Sequence, residues 1–437
     1  MRRSIFITGI FLFAGIFFSC KKSPVLQNAG APQWIKVIAD SAVNFTGKIR
    51  ADAQNNLFCS YNYRDNEVDS NSAIIKLDIK GKVVWRTPFT NLAVYDFAVT
   101  PQGNVVIVSY SDGMIVFKEL SVDGKDSILV MNPLLLSFLT SEKIKNLIGI
   151  RIESIPGGNY IIVGSVNYKF ISPDYKQQTI GFMAEIASSG AGIFLKNYIF
   201  PPDSESVFIT GCEQDADSFI LFGSIQKNVN RITNASPSAT ITNFFFMKTS
   251  SQGDSAWIRS FNTSRYDSSS KTYSGYYCAT SDIVAADDGN FFACANNMAF
   301  NIFPLPVYTN DDNSARIFKI SSQGILLDSV RIKFGLQNEV ADLVKKKDGG
   351  LFIGINPNAL GRLGNFELVG ERNSFIANVS SDMTLQNVSS VQTQFSDFLG
   401  SVCAMPDGHY AIEMMIQSFG SEDYKLEVIK TDENGNF

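Results

Sequence analysis

From residue 33 onward the chain repeats one pattern about seven times. Each copy has an apolar run, a tight turn of Gly, Asp or Asn, and a second apolar run; a variable loop then leads to two further strands joined by a second turn. The pattern reads VYDFAVTPQGNVVIVSY at 94–110, DIVAADDGNFFACA at 282–295, VADLVKKKDGGLFIGI at 340–355 and DFLGSVCAMPDGHYAIEM at 397–414. Four short strands per unit, recurring at intervals of roughly 40–70 residues, is the sequence form of a β-propeller blade. The expected fold is all-β: a seven-bladed β-propeller of four-stranded antiparallel blades spanning 33–437.

The turns lay out the units. First hairpin turns fall near Asn55-Asn56, Gln102-Gly103, Gly157-Gly158, Asp215–Asp217, Asp288-Gly289, Asp348-Gly349 and Asp407-Gly408. These residue types accept the positive backbone dihedrals of two-residue hairpins. A second set falls at Gly81, Gly124, Gly190, Gly253, Gly324, Asp382-Met383 and Gly435. The seventh unit stops just after Gly435 and so lacks a fourth strand, while an unattached strand, QWIKVI at 33–38, precedes the first unit. Pairing the two completes the last blade, closes the ring and removes two open sheet edges. In NVVIVSY both alternating faces are apolar, as a sheet sandwiched between neighbours requires. The 35 phenylalanines supply bulk for the wedges between splayed sheets. One segment departs from the pattern: in 132–149 Leu135, Phe138, Leu139, Ile144, Leu147 and Ile148 recur at helical spacing, which predicts a short inserted helix.

The first nineteen residues belong to export and not to the fold. Met1-Arg2-Arg3 is cationic and Ile5–Phe18 is an apolar run too short to span a bilayer comfortably. The run IFFSC at 16–20 resembles the lipobox of bacterial lipoproteins. That resemblance implies diacylation of Cys20, a tether over 20–32 and a bilayer partner through the acyl chains. Lys21-Lys22 stand where some lipoproteins carry an acidic sorting signal, so it also implies an outer-membrane location, with the leaflet open. GKVVW at 81–85 and GDSAW at 253–257 resemble the Gly-x-x-x-Trp ending of quinoprotein-like (WD40-like) repeats in propeller lipoproteins; no cofactor signature accompanies them, and no cofactor is expected.

Composition excludes several chemistries. A net charge of −5 with dispersed basic residues points away from nucleic acid. Cys59, Cys212, Cys278, Cys294 and Cys403 form neither a disulfide framework nor a zinc pattern; only Cys278 and Cys294 share a unit and could pair. His409 is the only histidine and reads as a turn residue, so a Ser-His-Asp hydrolase would rest on it alone. Among paired acids, Asp215, Asp217 and Asp288 sit in turns for backbone reasons, leaving Asp311-Asp312 as a weak cation candidate.

Loop length is asymmetric. The first–second and third–fourth connections are short, whereas the second–third and fourth–first connections carry the insertions at 62–72, 132–149, 165–178, 226–243, 262–276, 297–313 and 356–373. In an antiparallel blade these two groups emerge on opposite faces. The long-loop face holds Tyr63, Arg64, Tyr168, Tyr175, Arg265, Tyr266, Tyr273, Phe303, Tyr308, Arg362 and Phe366, with Arg231 and Arg372 beside them, residue types favoured at recognition surfaces. Two functions follow as expectations. The first is a membrane-anchored, non-catalytic scaffold that binds a protein or glycan on this face. The rival is a propeller hydrolase or lyase with carboxylates at the mouth of the central channel.

Overall fold

The computed structural model describes residues 26–28, 34–38, 43–64, 70–111, 114–131, 144–169, 177–199, 206–228, 240–261, 264–267, 272–302, 306–308, 314–333, 338–357, 374–391, 396–417 and 424–436. The described residues are strands and tight turns throughout, and no helix among them is long and apolar enough to cross a membrane. The first unit shows the common plan: Val43–Ala51, Leu57–Arg64, Ser70–Leu77 and Val83–Phe89 pair in order as an antiparallel sheet. The second unit repeats it with Ala93–Val99, Val105–Ser111, Met114–Leu120 and Asp126–Met131. Units starting at Ile144 and Ser206 follow, joined into one longer sheet through a single parallel bridge between Thr179 and Ser206. Later units start at Thr272, Asn338 and Ser396.

Local chemistry explains the turns. Each expected hairpin turn carries a residue at positive φ, and three of these are not glycine: Asn55, Ala216 and Met383. Ser or Asp at the turn entry takes up the freed amides, as Asp52 does for Gln54 and Asn56 and Ser321 does for Gln323 and Ile325. His409 lies in such a turn, its ring 3.0 Å from Asp407.

Apolar clusters fill the space between consecutive units, which therefore stack face to face as propeller blades do. Phe222, Phe244, Phe246 and Phe318 fill the seam between the fourth and fifth units, with Phe244 and Phe318 stacked at 4.6 Å. Another cluster joins Val43, Leu57 and Ile75 of the first unit to Cys403, Met415 and Val428 of the last. The N-terminal strand Trp34–Val37 pairs with the last unit, Trp34 opposite Lys430 and Val37 opposite Glu427. Its indole lies on Gly81 of the first unit and donates to Ile79 O at 3.1 Å. A Cβ on Gly81 would sit 2.8 Å from that ring, so the position is closed to other residues by contact as well as by its φ of 75°. Trp85 covers Gly124 of the second unit in the same way and donates to Val122 O at 2.9 Å; Trp257 covers Gly324.

Two expectations need correction, and the open question of whether Cys278 and Cys294 pair is answered. Ile144, Leu147 and Ile148 lie in the strand Ile144–Ser154, so the helical reading of 132–149 fails over its last six residues; 132–143 lie outside the described residues. The strand's register shifts between Ile144 and Asn146, and one extra residue there turns period-two spacing into the three-residue step from Ile144 to Leu147. Cys294 is a free, buried thiol and does not bridge Cys278, whose strand register sets it opposite Asn297. The stretch 20–32 is not all tether: Leu26–Asn28 runs parallel to Val388–Ser390 as a fifth strand on the sixth unit.

Candidate functional site: a charged axial cavity

The first strand of every unit carries a register shift at the same level, for example between Thr46 and Ile49, Val94 and Asp96, Thr280 and Ile283, and Leu399 and Ser401. A bulge adds a residue, bends the strand and re-aims a side chain. Here it also frees an amide, and an aspartate answers it. Asp96 accepts from Phe97 N at 2.8 Å, Asp282 from Ile283 N at 2.8 Å, and Asp342 from Leu343 N at 3.1 Å. The same aspartates reach the next unit: Asp96 accepts from Ile152 N at 3.0 Å, and Asp342 from Val402 N at 3.3 Å.

Beyond the bulges, the first strands converge on one cavity of about 380 Å³. Charged side chains from several units span it. Lys48 Nζ lies 3.0 Å from Asp342 and 3.9 Å from Asp282, and Arg151 lies 3.7 Å from Asp282. Arg50 bridges Asp96 at 3.2 Å and Glu153 at 3.1 Å, and donates to Ile152 O at 3.2 Å. Arg151 Nε donates to Thr210 O at 3.3 Å. The first unit is thus tied across the axis to the fifth and sixth, and beside it to the second and third.

Burial dominates the electrostatics. It pushes the Asp282 acid up to about 8, against the pull of Arg151 and with the help of Asp342. It does the same for Glu213, also to about 8, with Glu153 and Asp282 adding to the effect. Asp96 rises to about 6 by burial, with Arg50 opposing. Burial alone would lower the Arg50 guanidinium, but Glu153 and Asp96 together raise it. The cavity is therefore a mixed ionic network in which burial shifts Asp282 and Glu213 toward their protonated forms. Among the described residues no group of three or more His, Cys, Asp or Glu could hold a metal ion.

None of these residues stood out in the sequence reading, although a signal existed. Lys48, Asp96, Arg151, Asp282, Asp342 and Ser401 each precede the positive-φ residue of their unit's first turn by the same interval. Polar residues recurring at one position in otherwise apolar strands mark the wall of a shared cavity. The cavity lies beside the short first turns: Ala51, Val99, Ser154 and Ala404 line it and end their strands. It is thus in the half of the axis away from the long connections.

The loop-face residues are distributed differently. Tyr63 is not a loop residue; its ring is buried in the strand Leu57–Arg64 beside Tyr61, with Arg86 stacked over both, because that strand extends further than its turn signals suggest. Arg64 ends the same strand, and Tyr168 lies in Tyr160–Lys169 opposite Gln178. Arg265, Tyr266, Tyr273 and Tyr308 belong to one extended sheet in the fifth unit. There Ser264–Asp267 pairs with Thr272–Gly275, placing Tyr266 opposite Tyr273, and Pro306–Tyr308 pairs with Phe300–Ile302. Tyr175, Phe303, Arg362 and Phe366, like Arg231, Arg372, Asp311 and Asp312, lie outside the described residues.

No protein-family model matches the chain, and no curated protein matches it in sequence. Among solved structures it is similar to the Dos1 propeller (8% identity, 93% of this chain and 95% of that chain, TM-score 0.46). It is also similar to a Dyadobacter fermentans protein of unknown function (8%, 92% and 98%, 0.47). A third is the WD40 domain of Toxoplasma gondii coronin (8%, 94% and 90%, 0.47).

Proposed function

We propose that the chain is a seven-bladed toroid, closed by Trp34–Ile38 and anchored through an acylated Cys20 at the outer membrane, that binds a protein or glycan on its long-loop face without catalysis. The seam cluster between the first and last units and the Trp34–Gly81 contact support closure, since both repeat what holds other neighbours together. The observation that carries the binding reading is the fifth unit. Its first two strands, Thr272–Ala285 and Phe291–Ile302, are about twice the length of Ala93–Val99, and the surplus lies at the ends away from the short turn. That surplus, with its two added strands, forms a hydrogen-bonded ribbon that carries Arg265, Tyr266, Tyr273 and Tyr308. Aromatic and arginine side chains on a pre-organised element suit recognition of a protein surface or a sugar ring.

A hydrolase reading keeps one feature in its favour: burial raises Asp282 and Glu213 to about 8, the direction a general acid needs. Against it, Asp282 is committed to Arg151, Lys48 and the Ile283 amide.

The two readings separate in one experiment. Full-length acylated protein is screened against a glycan array and by cross-linking in its native membranes, beside a Tyr266→Ala/Tyr273→Ala/Tyr308→Ala variant and an Asp282→Asn/Glu213→Gln variant. The scaffold reading expects the ribbon variant to lose its ligand and the axial variant to keep it. The reverse result, with loss of a hydrolytic activity in the axial variant, makes the axial cavity the functional centre.

A further inference from the structure

We propose that the short-turn face of the body lies against the lipid surface that anchors the chain, so that the long-loop face points away from it. The inference rests on the acylation of Cys20 and adds an orientation to it.

The first argument is where the N-terminal segment meets the body. Leu26–Asn28 runs parallel to the outer strand Leu385–Val391, which begins directly after the short turn at Ser380–Thr384. Leu26 stands opposite Val388, midway along that strand, and because the pairing is parallel the chain arrives there from the short-turn edge. Only five residues separate Leu26 from Cys20, a reach of no more than about 20 Å. Trp34 enters the last unit at the same edge, opposite Lys430 and against the turn carbonyl of Ile79. A leash this short holds the attached edge beside the bilayer and raises the effective concentration of any weak lipid contact there.

The second argument is what that edge displays. Ile79 and Val122 occupy the same place in the second turns of the first and second units and are exposed, Val122 at 51%. Ile35, Val83, Val84, Ile193, Leu326 and Leu327 are exposed at the beginnings of outer strands, next to those turns, and Ile325 is 60% exposed just before one. Ile148, Val37, Ile199 and Phe398, the other exposed large apolar residues described, lie singly towards the opposite ends of their strands. Exposed Lys36, Lys80 and Lys82 stand among the apolar residues. Some acids on the short turns are ion-paired, Asp215 with Lys248, Asp287 with Lys345, Asp288 with Lys319 and Asp407 with Lys430, all within 2.8 Å, whereas Asp78, Asp382 and Asp432 accept turn amides. A rim of aliphatic side chains and lysines, with part of its carboxylates paired, fits a shallow contact with phospholipid headgroups.

The test uses the full-length acylated protein in phosphatidylethanolamine–phosphatidylglycerol vesicles that contain a nitroxide-headgroup lipid. A fluorophore is placed through Lys80→Cys, Gln323→Cys or Lys425→Cys; the first two positions are on the short-turn rim, and the third begins a strand at the long-loop side. Cys59, Cys212, Cys294 and Cys403 are buried, and each labelled variant also carries Cys278→Ser so that no other thiol competes for the label. Severalfold stronger quenching at 80 and 323 than at 425 is expected, and an Ile79→Asp/Val122→Asp/Leu327→Asp variant should weaken it while the protein stays on the vesicles. Equal quenching at the three positions, or stronger quenching at 425, overturns the orientation. The mass of the N-terminal peptide is read from the same preparation. An unacylated Cys20 overturns the anchoring reading and the orientation together, whereas an acylated Cys20 with unquenched rim labels overturns the orientation alone.

Discussion

Trp34 shows how much one side chain can hold. It joins three things at once: the N-terminal strand, the last unit through its backbone, and the first unit through its ring and indole N–H. Trp34→Ala should cost about 3 kcal/mol in a denaturant titration, the lower end of aromatic truncations because the ring is only half-buried. Trp85→Ala should cost a similar amount, yet only the Trp34 variant should speed amide exchange in Ala411–Lys430 of the last unit. Asp96 is the other residue of this kind. It is fully buried and serves two amides and Arg50. Asp96→Ala should destabilise by about 3–5 kcal/mol, the cost of leaving a buried ionic partner alone.

At the scale of elements, strands and turns behave as their sequences demand and the bulges do not. Gly, Asn and Asp at fixed places set the hairpins, and apolar runs set the strands, so unit boundaries were readable before any coordinates. A bulge has no residue signature of its own: Tyr95, Thr210, Ala341 and Gly400 all lie at bulges and share nothing in side chain. Deleting Tyr95 should therefore be far more damaging than replacing it with Ala. Deletion removes the extra residue, leaves Val94 and Asp96 on a regular ladder opposite Ser109 and Val108, and takes away the bend that aims Asp96 at Arg50 and the Ile152 amide, whereas Ala keeps the count. Thermal unfolding of the two variants checks this, and a deletion no worse than the substitution would falsify the assigned role of the bulge. The same blindness explains the helix expected over 132–149, since a bulged strand mimics helical spacing.

Over the whole molecule, two properties come from the pairing of the N-terminal strand with the last unit and from the charged cavity. Removing residues 34–38 strips the outer strand from the last unit and the ring that covers Gly81, so the truncated protein should form oligomers through the exposed edge, visible by size-exclusion chromatography. Stability should also depend on pH with a definite sign. Asp282 and Glu213 at about 8, Glu427 at about 7 and Asp96 at about 6 are all raised, chiefly by burial; Glu413, fully buried at the seam, is raised by burial as well. Between the ordinary carboxylate range and these values the folded state binds more protons than the unfolded chain, so stability falls as pH rises through that window. Below it, Asp288, held down by Lys319, loses its contribution on protonation. The Tm should peak near about pH 5 and drop towards pH 8, and Asp282→Asn/Glu213→Gln should flatten that slope.

The sequence by itself determined the repeat, the turns, the short and long faces and the partner of the N-terminal strand. Each of these follows from local backbone preference or from counting strands that must pair. The tertiary structure decided the axial network, because Lys48, Asp282 and Asp342 meet only when strands far apart in the chain are brought round one axis. It also decided that Tyr63 is core, and that Leu26–Asn28 joins the sixth unit. Electrostatic partners and added edge strands depend on distances across the fold, which spacing along a chain does not encode.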